Sequence, residues 1–310
     1  MKEEKKIVSS DAVYHVPVLL NEVIEGLAIR PSGVYVDCTF GGGGHSRAIL
    51  KKLDETGRLV AFDQDADARR NLPEDDRVIF VPQNFRHLHR FLRLHGIAEV
   101  DGLLADLGVS SHQFDEGSRG FSTRFDAALD MRMDQRQDKT AADVVKTYSE
   151  RELHILFEQW GEVTNSKTLA KTIVEKRAVM PLQTIEDFKG ALSGIVKGNP
   201  AKYFAQVFQA LRIEVNDEMG ALKELLTQLP QVLKTGGRAA IITFHSIEDR
   251  LVKQFFKANT FEKEEDHPFQ TKEKLRVLKP VNKKPIEASQ EELKRNPRSR
   301  SAKLRVAEKI

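Results

Sequence analysis

Apolar positions set two rhythms along the chain. In HVPVLLNEVIEGLAI (15–29) they recur every three or four residues, which predicts a helix closed by Pro31-Ser32-Gly33. A short apolar run predicts a strand over 34–38, then a glycine loop over 39–44 and a helix over 45–53. The order repeats. Strands are expected over 58–65, 77–82 and 100–111, the last running into a loop, with a short helix over 66–71 and a longer one over 84–95. Strands and helices alternating with short links are the pattern of an open parallel sheet covered on both faces.

From about Asp115 to Asn199 the alternation stops. A polar, Gly-rich start leads into amphipathic stretches near 140–148, 150–160, 165–178 and 184–194, punctuated by Gly161, Pro181 and Gly198-Asn199-Pro200. This predicts a small all-helical domain (115–200) inserted into an α/β sheet domain made of 1–114 and 201–310. Trp160 is expected in the core of the insert. A long helical pattern resumes at 201 and ends at Gly236-Gly237. A fifth strand is expected over 238–245, a helix over 246–258 with Ser246 as its N-cap, and a last strand over 302–310. Residues 1–10 read as a frayed end.

At 40% hydrophobic and 31% charged residues, the 310-residue chain has an ordinary globular composition. No apolar run approaches a membrane span, no apolar leader stands at the N-terminus, and the single cysteine, Cys38, fits a reducing compartment. A cytoplasmic protein is expected. Charge changes the picture more. Residues 271–310 hold 13 Lys and Arg against 5 Asp and Glu, a net of +8, while the whole chain is only +3, so the other 270 residues are net −5. A basic tail on a mildly acidic body points to a polyanion, most simply nucleic acid. Its Arg298, Arg300, Lys303 and Arg305 are candidate phosphate contacts.

The candidate chemistry gathers at the strand ends, where open α/β sheets bind ligands. Three of them carry an acid: Asp37, Asp63 and Asp106. Between Asp37 and the next helix stand four glycines, Gly41 to Gly44, in a stretch suited to close approach of a ligand to backbone. A phosphate-binding P-loop would need Lys where His45 stands, and the dinucleotide fingerprint would need Gly or Ala at Ser46. An acid followed by this loop suits S-adenosylmethionine, which has no phosphate but carries a cationic amine and a sulfonium. Asp63 is the candidate ribose partner, although a nicotinamide dinucleotide would use the same acid. Phe85 either stacks on adenine or docks its helix on the sheet. Asp106, with Gln113 nearby, faces the methyl-transfer side of such a sheet. His245 and Ser246 could line the site. No Gly-x-Ser-x-Gly motif is present, and His87, His89 and His95 lack metal-ligand spacing, so no metal is expected.

HVPVLLNEVIEGL, DCTFGGGGHSRAIL, DGLLADLGVSSHQFD, LDMRMD, FQALRIEVNDEM, GGRAAIITFHSIEDRLVK and NPRSRSAKLR together resemble the RsmH/MraW family from about His15 to Glu308. Thr123, Thr243 and Ile247 depart conservatively from the family pattern. The resemblance implies a Rossmann-like class I methyltransferase sheet with an inserted helical substrate-recognition domain. It implies methyl transfer from S-adenosylmethionine to N4 of a cytidine in small-subunit ribosomal RNA. It also implies cofactor contacts at Gly43, Gly44, His45, Asp63, Phe85, Asp106 and Gln113. The D-P-P-Y-type motif of amino-directed DNA methyltransferases is replaced here by DLGV. Asp106 is therefore the leading catalytic candidate, with His245 and Asn216 behind it, and Phe121 either offers a surface to the unstacked base or packs the hinge of the insert. The rival readings are an NAD-linked oxidoreductase and a non-catalytic RNA-binding factor of ribosome assembly. The oligomeric state stays open, a homodimer included.

Overall fold

The computed structural model describes residues 17–261 and 276–310. The expected frayed end at 1–10 lies outside them. The first half alternates as its pattern requires: α1 (Leu20–Leu27), β1 (Val34–Asp37), α2 (Gly44–Leu50), β2 (Arg58–Phe62), β3 (Val78–Val81), α3 (Leu88–Leu94) and β4 (Val100–Asp106). A short helix α4 (Ser111–Asp115) follows β4. Then come α5 (Ala141–Thr147), α6 (Glu150–Gln159), α7 (Ser166–Arg177) and α8 (Ile185–Leu192). Thr140, Ser149 and Thr184 start three of these with reciprocal capping boxes, which is why their N-termini fall where the polar residues stand. The chain continues through α9 (Pro200–Asn216), α10 (Glu218–Val232), β5 (Leu233–Thr243), α11 (Ser246–Ala258), β6 (Leu278–Pro280), β7 (Ile286–Glu287), α12 (Gln290–Arg295) and β8 (Lys303–Lys309).

The strands form one sheet in the order β3-β2-β1-β4-β5-β8-β6, with β7 also on β8. The first five are parallel, β8 runs antiparallel to β5, and β6 and β7 each pair antiparallel with β8. The chain steps outward from β1 to β3 and then returns to β4 on the other side. This puts the topological switch point, where such sheets open a crevice, between β1 and β4. One sheet face is sealed by Leu222, Leu225, Leu226 and Leu229 of α10, the other by Leu19, Val23 and Leu27 with Ile49 and Leu50 of α2.

Three sequence expectations are corrected. The helical pattern from 201 is two helices, because Asp217 takes a left-handed conformation (φ 46) between α9 and α10. The boundary expected at 200 cuts off α9, yet Tyr203, Val207, Ala210 and Leu211 of α9 sit in the helical core with Val144, Leu153 and Ile173. Gly236-Gly237 does not stop a helix. α10 has already ended, Leu233 pairs with Val100, and the glycines form a bulge before the register resumes at Arg238 opposite Gly102. The last strand forms as expected, but it lies inside the sheet between β5 and β6, not as a free basic tail. Trp160 packs against both the sheet core and the helical core.

Candidate active site

The glycine loop is shaped by an acid beneath it. Asp37 is buried at the end of β1; its Oδ2 accepts the Ser46 hydroxyl hydrogen at 2.7 Å and its Oδ1 the Thr39 N–H at 3.0 Å. Asp37 thus ties the strand to the first turn of α2. It does not line the cavity above, which corrects the expectation that it faces a cationic ligand. The same bond gives Ser46 a structural role. Gly43 has φ 72 and a Cβ there would run into the Phe40 ring and the Arg47 guanidinium, so a side chain would be strained and crowded. It too is absent from the cavity wall, unlike Gly41, Gly42 and Gly44. Gly44 lies against Pro17, while a Cβ on Gly42 would meet nothing within 4 Å. The floor is open at Gly42, where a ligand would rest.

The cavity holds about 690 Å³ over the C-terminal ends of β1, β2 and β4, within the size range of small-molecule sites. Asp63, His45, Phe85, Asp106 and Gln113 all line it. The Asp63 carboxylate accepts the N–H of Gly41 and of Asp65, both at 2.8 Å. Burial outweighs these donors and pushes its carboxyl up to about 7. Phe85 satisfies both readings, since it is half-buried against the sheet core and also exposed to the cavity.

Asp106 stands at the end of β4 with its N–H donated to Thr39 Oγ1 at 2.7 Å. Its Oδ1 is buried without a hydrogen-bond partner among the described residues, and its Oδ2 is 3.7 Å from His45 Nδ1. Burial pushes this carboxyl up to about 6, against the pull of His45. His45 Nε2 lies 2.9 Å from the Val18 carbonyl, which can only accept, so Nε2 carries a hydrogen. A neutral ring then turns its Nδ1 lone pair towards Asp106. The two groups attract only when one proton is held by His45 Nδ1 or by Asp106.

Sequence reasoning missed the brace beneath this site. Arg119, buried, pairs with Asp65 at 2.9 Å and Asp67 at 3.2 Å, and donates to the carbonyls of Arg132 and Met133. Gln113 completes it, donating to Asp65 at 2.7 Å while accepting the Ser110 N–H. Asp65 also caps the following turn by accepting the Asp67 N–H. Nothing in the spacing pairs it with an arginine in a polar, Gly-rich stretch.

Of the other two catalytic candidates, Asn216 lines the cavity and His245 does not. Asn216 spends its whole amide on structure: Oδ1 accepts the Met133 N–H at 2.7 Å, and Nδ2 donates to the carbonyls of Met131 and Arg212, both at 2.8 Å. His245 is off the cavity wall. It is the N-cap of α11, its Nδ1 accepting the Glu248 N–H, a place expected for Ser246. Ser246 instead donates to Glu162 of the helical region at 3.0 Å. Phe121 is packed in the helical core, not presented to solvent. In the tail, Arg305 is buried against Asp249 with bonds of 2.7 and 3.0 Å, Lys303 lies in β8, and only Arg298 reaches the cavity.

Comparison with known proteins places this geometry in context. The sequence pattern of the MraW methylase family matches residues 12–310. A protein named ribosomal RNA small subunit methyltransferase H, from Parabacteroides distasonis, is 54% identical over 304 residues, covering 97% of this chain and 99% of its own length. Its namesake from Cytophaga hutchinsonii is 52% identical over 302 residues, covering 96% and 100%. Among solved structures, a putative rRNA-methylase from Clostridium thermocellum superposes with a TM-score of 0.44 at 11% identity, covering 96% of this chain and all of that one.

Proposed function

The chain belongs to the MraW methylase family, and from that premise we propose that it methylates N4 of a cytidine in small-subunit ribosomal RNA, with S-adenosylmethionine as donor. The observation that carries the reading is Asp106, a carboxylate at the end of β4 on the wall of a cavity floored by glycine, whose side chain has no hydrogen bond among the described residues. The residues present fit the donor. The floor is open over Gly42. Asp63 is fixed by two backbone N–H groups and keeps lone pairs for ribose hydroxyls. Phe85 offers a ring face. The acids suit a cationic ligand. When bound, S-adenosylmethionine supplies an electrophilic methyl group on sulfur.

The chain's own residues then have two tasks. Cytosine N4 has its lone pair drawn into the ring, so it must be held and made more pyramidal. The Asp106 carboxylate, on the cavity wall, is assigned to accept an N4–H and do both; holding a near-attack geometry supplies about 7–11 kcal/mol. The nitrogen must also lose a proton once methylated. Asp106, with His45 Nδ1 at 3.7 Å, is the nearest pair able to take it. The helical region, whose Met133 reaches the cavity wall, is assigned to hold the RNA. Its target base must leave the stack to reach Asp106. No helix of the described residues is long and apolar enough to cross a membrane; with an RNA substrate, the cytoplasm is the proposed location.

The test is transfer of a labelled methyl group to small subunits lacking the modification, followed by nucleoside analysis. N4-methylcytidine is the expected product. Label in another nucleoside, or none, would refute the proposal.

A further inference from the structure

Around the mouth of the cavity the charges change sign. Phe114 of α4 lies between two guanidiniums: Arg124 Cζ is 5.1 Å and Arg298 Cζ 5.6 Å from its ring centre. Both arginines reach the neighbouring Asp115. Arg124 donates to its Oδ1 at 3.0 Å, and Arg298 Nη2 donates to Oδ1 at 2.8 Å and Oδ2 at 2.7 Å. Three separate segments thus build one assembly: α4, the loop after it, and the turn Pro297–Ser301 before β8. Arg298 and Asp115 line the cavity. The Arg298 side chain is 35% exposed, yet its Nη1 is buried and has no hydrogen-bond partner among the described residues.

Two guanidiniums sharing one carboxylate keep positive charge for a second anion, and the ring between them fixes their planes. The floor below is acidic, with Asp63 and Asp106. A polyanionic strand that must lower a base onto acids needs cations at the rim to offset repulsion. Of the four tail cations singled out by sequence, only Arg298 stands there; Arg305 is consumed by Asp249.

We propose that Arg298, held by Phe114 and Asp115 and flanked by Arg124, grips a backbone phosphate of the RNA strand entering the cavity through the exposed part of its guanidinium. This rests on the RNA-methyltransferase reading above. Arg298 is a positioning residue: it touches the strand and not the reacting atoms. The Asp115 carboxylate is ionised, held low first by Arg298 and then by Arg124, and competes with the phosphate for the same guanidinium.

That competition gives the test. Binding of a short single-stranded RNA oligonucleotide is measured by fluorescence anisotropy across a salt series for wild type, Arg298→Ala, Arg298→Lys and Asp115→Asn, with melting temperature as the fold control. Arg298→Ala should weaken binding about tenfold and flatten the salt slope by about 0.7, the share of one single-strand phosphate. Arg298→Lys, keeping charge without the fork, should fall between. Asp115→Asn should bind several-fold tighter, since it releases the guanidinium. The KM for unmethylated small subunits should move in the same directions as RNA affinity. If Arg298 is only a staple, Arg298→Ala and Asp115→Asn lose the same ion pair and shift RNA binding in the same direction, which overturns the proposal. Loss of S-adenosylhomocysteine affinity by calorimetry, with RNA binding unchanged, overturns it too, by assigning the guanidinium to the cofactor carboxylate. Failure of the wild type to methylate subunits would refute the parent reading instead, a separate readout.

Discussion

Replacing Asp106 by Asn should make the ligand-free protein more stable while abolishing most of its methyl transfer. The carboxyl is pushed up from an ordinary 3.8 to about 6 by burial first, with Asp37 and Glu248 adding to it and His45 opposing. A shift of about two units, at about 1.4 kcal/mol each, means that holding Asp106 ionised costs the fold roughly 3 kcal/mol. Asn has nearly the same shape and no charge to desolvate. It breaks no hydrogen bond of the side chain, because Oδ1 has none among the described residues and Oδ2 only faces His45 at 3.7 Å.

The pH dependence follows from the same shift. Between about 4 and 6 the unfolded chain has released the Asp106 proton while the folded one still holds it, so wild-type stability falls as pH rises through that window, then levels off. The Asp106→Asn protein lacks this contribution. Urea denaturation of the two proteins from pH 5 to 8 should show a gap of about 3 kcal/mol at pH 8 and about half of that at pH 5. Asp63, pushed up to about 7, titrates in both proteins and largely cancels. A variant no more stable than wild type at pH 8, or a gap that ignores pH, would refute the claim that Asp106 is a desolvated acid kept for function.

Three other outcomes are expected. Asp63→Ala should lower affinity for S-adenosylhomocysteine about 100-fold or more, from two hydrogen bonds to a charged group at roughly 1.5–3 kcal/mol each; calorimetry finding wild-type affinity would remove Asp63 from the ribose. Gly42→Ala should melt within a few degrees of wild type yet bind S-adenosylhomocysteine more weakly, whereas Gly43→Ala, at φ 72 and against Phe40, should lose roughly 1–3 kcal/mol of stability; a Gly43→Ala protein as stable as wild type contradicts the loop geometry. Truncation before Ala302 removes a strand paired on both sides and should leave no cooperative melting transition; a truncated chain that melts like the full one would return the tail to a peripheral role.

Sequence periodicity carried most of the sheet, because β1, β2 and β4 each hold a short, largely buried apolar run, Val34-Tyr35-Val36, Leu59 to Phe62 and Leu103-Leu104-Ala105. The helices of the insert were legible for a local reason as well: their caps lie within three residues of the donors they satisfy. Strand-end acids were visible, but not their direction. Asp37 and Asp63 occupy like places on neighbouring strands, and only packing decides that one turns down to Ser46 and the other up to the cavity. Contacts spanning long separations were not legible at all. Arg119 meets Asp67 across 52 residues and Asn216 meets Met133 across 83, and neither pairing leaves a periodic trace. The tail misled for a related reason. Its charge was real, but a strand's charged positions can be paired sideways, as Arg305 is with Asp249.

Asn216 bears on how the two halves of the molecule work together. It sits at the last position of α9, beside the left-handed Asp217 that separates α9 from α10. From there its amide clasps Met131 and Met133, and Gln64, from the β2 loop, donates to the Met133 sulfur at 3.3 Å. Arg119 holds the same Met133 segment from the other side and anchors it to Asp65 and Asp67. The next link is the Asp65 N–H, which donates to the Asp63 carboxylate at 2.8 Å. Asp63, the proposed ribose partner, is thus two residues from the acid that braces the wall leading to the helical region. A buried ion pair such as Arg119–Asp65 adds little net stability once desolvation is counted, but losing either partner strands the other. Its best-supported use is to fix one arrangement among several, here the seat of the helical region on the rim of the cavity.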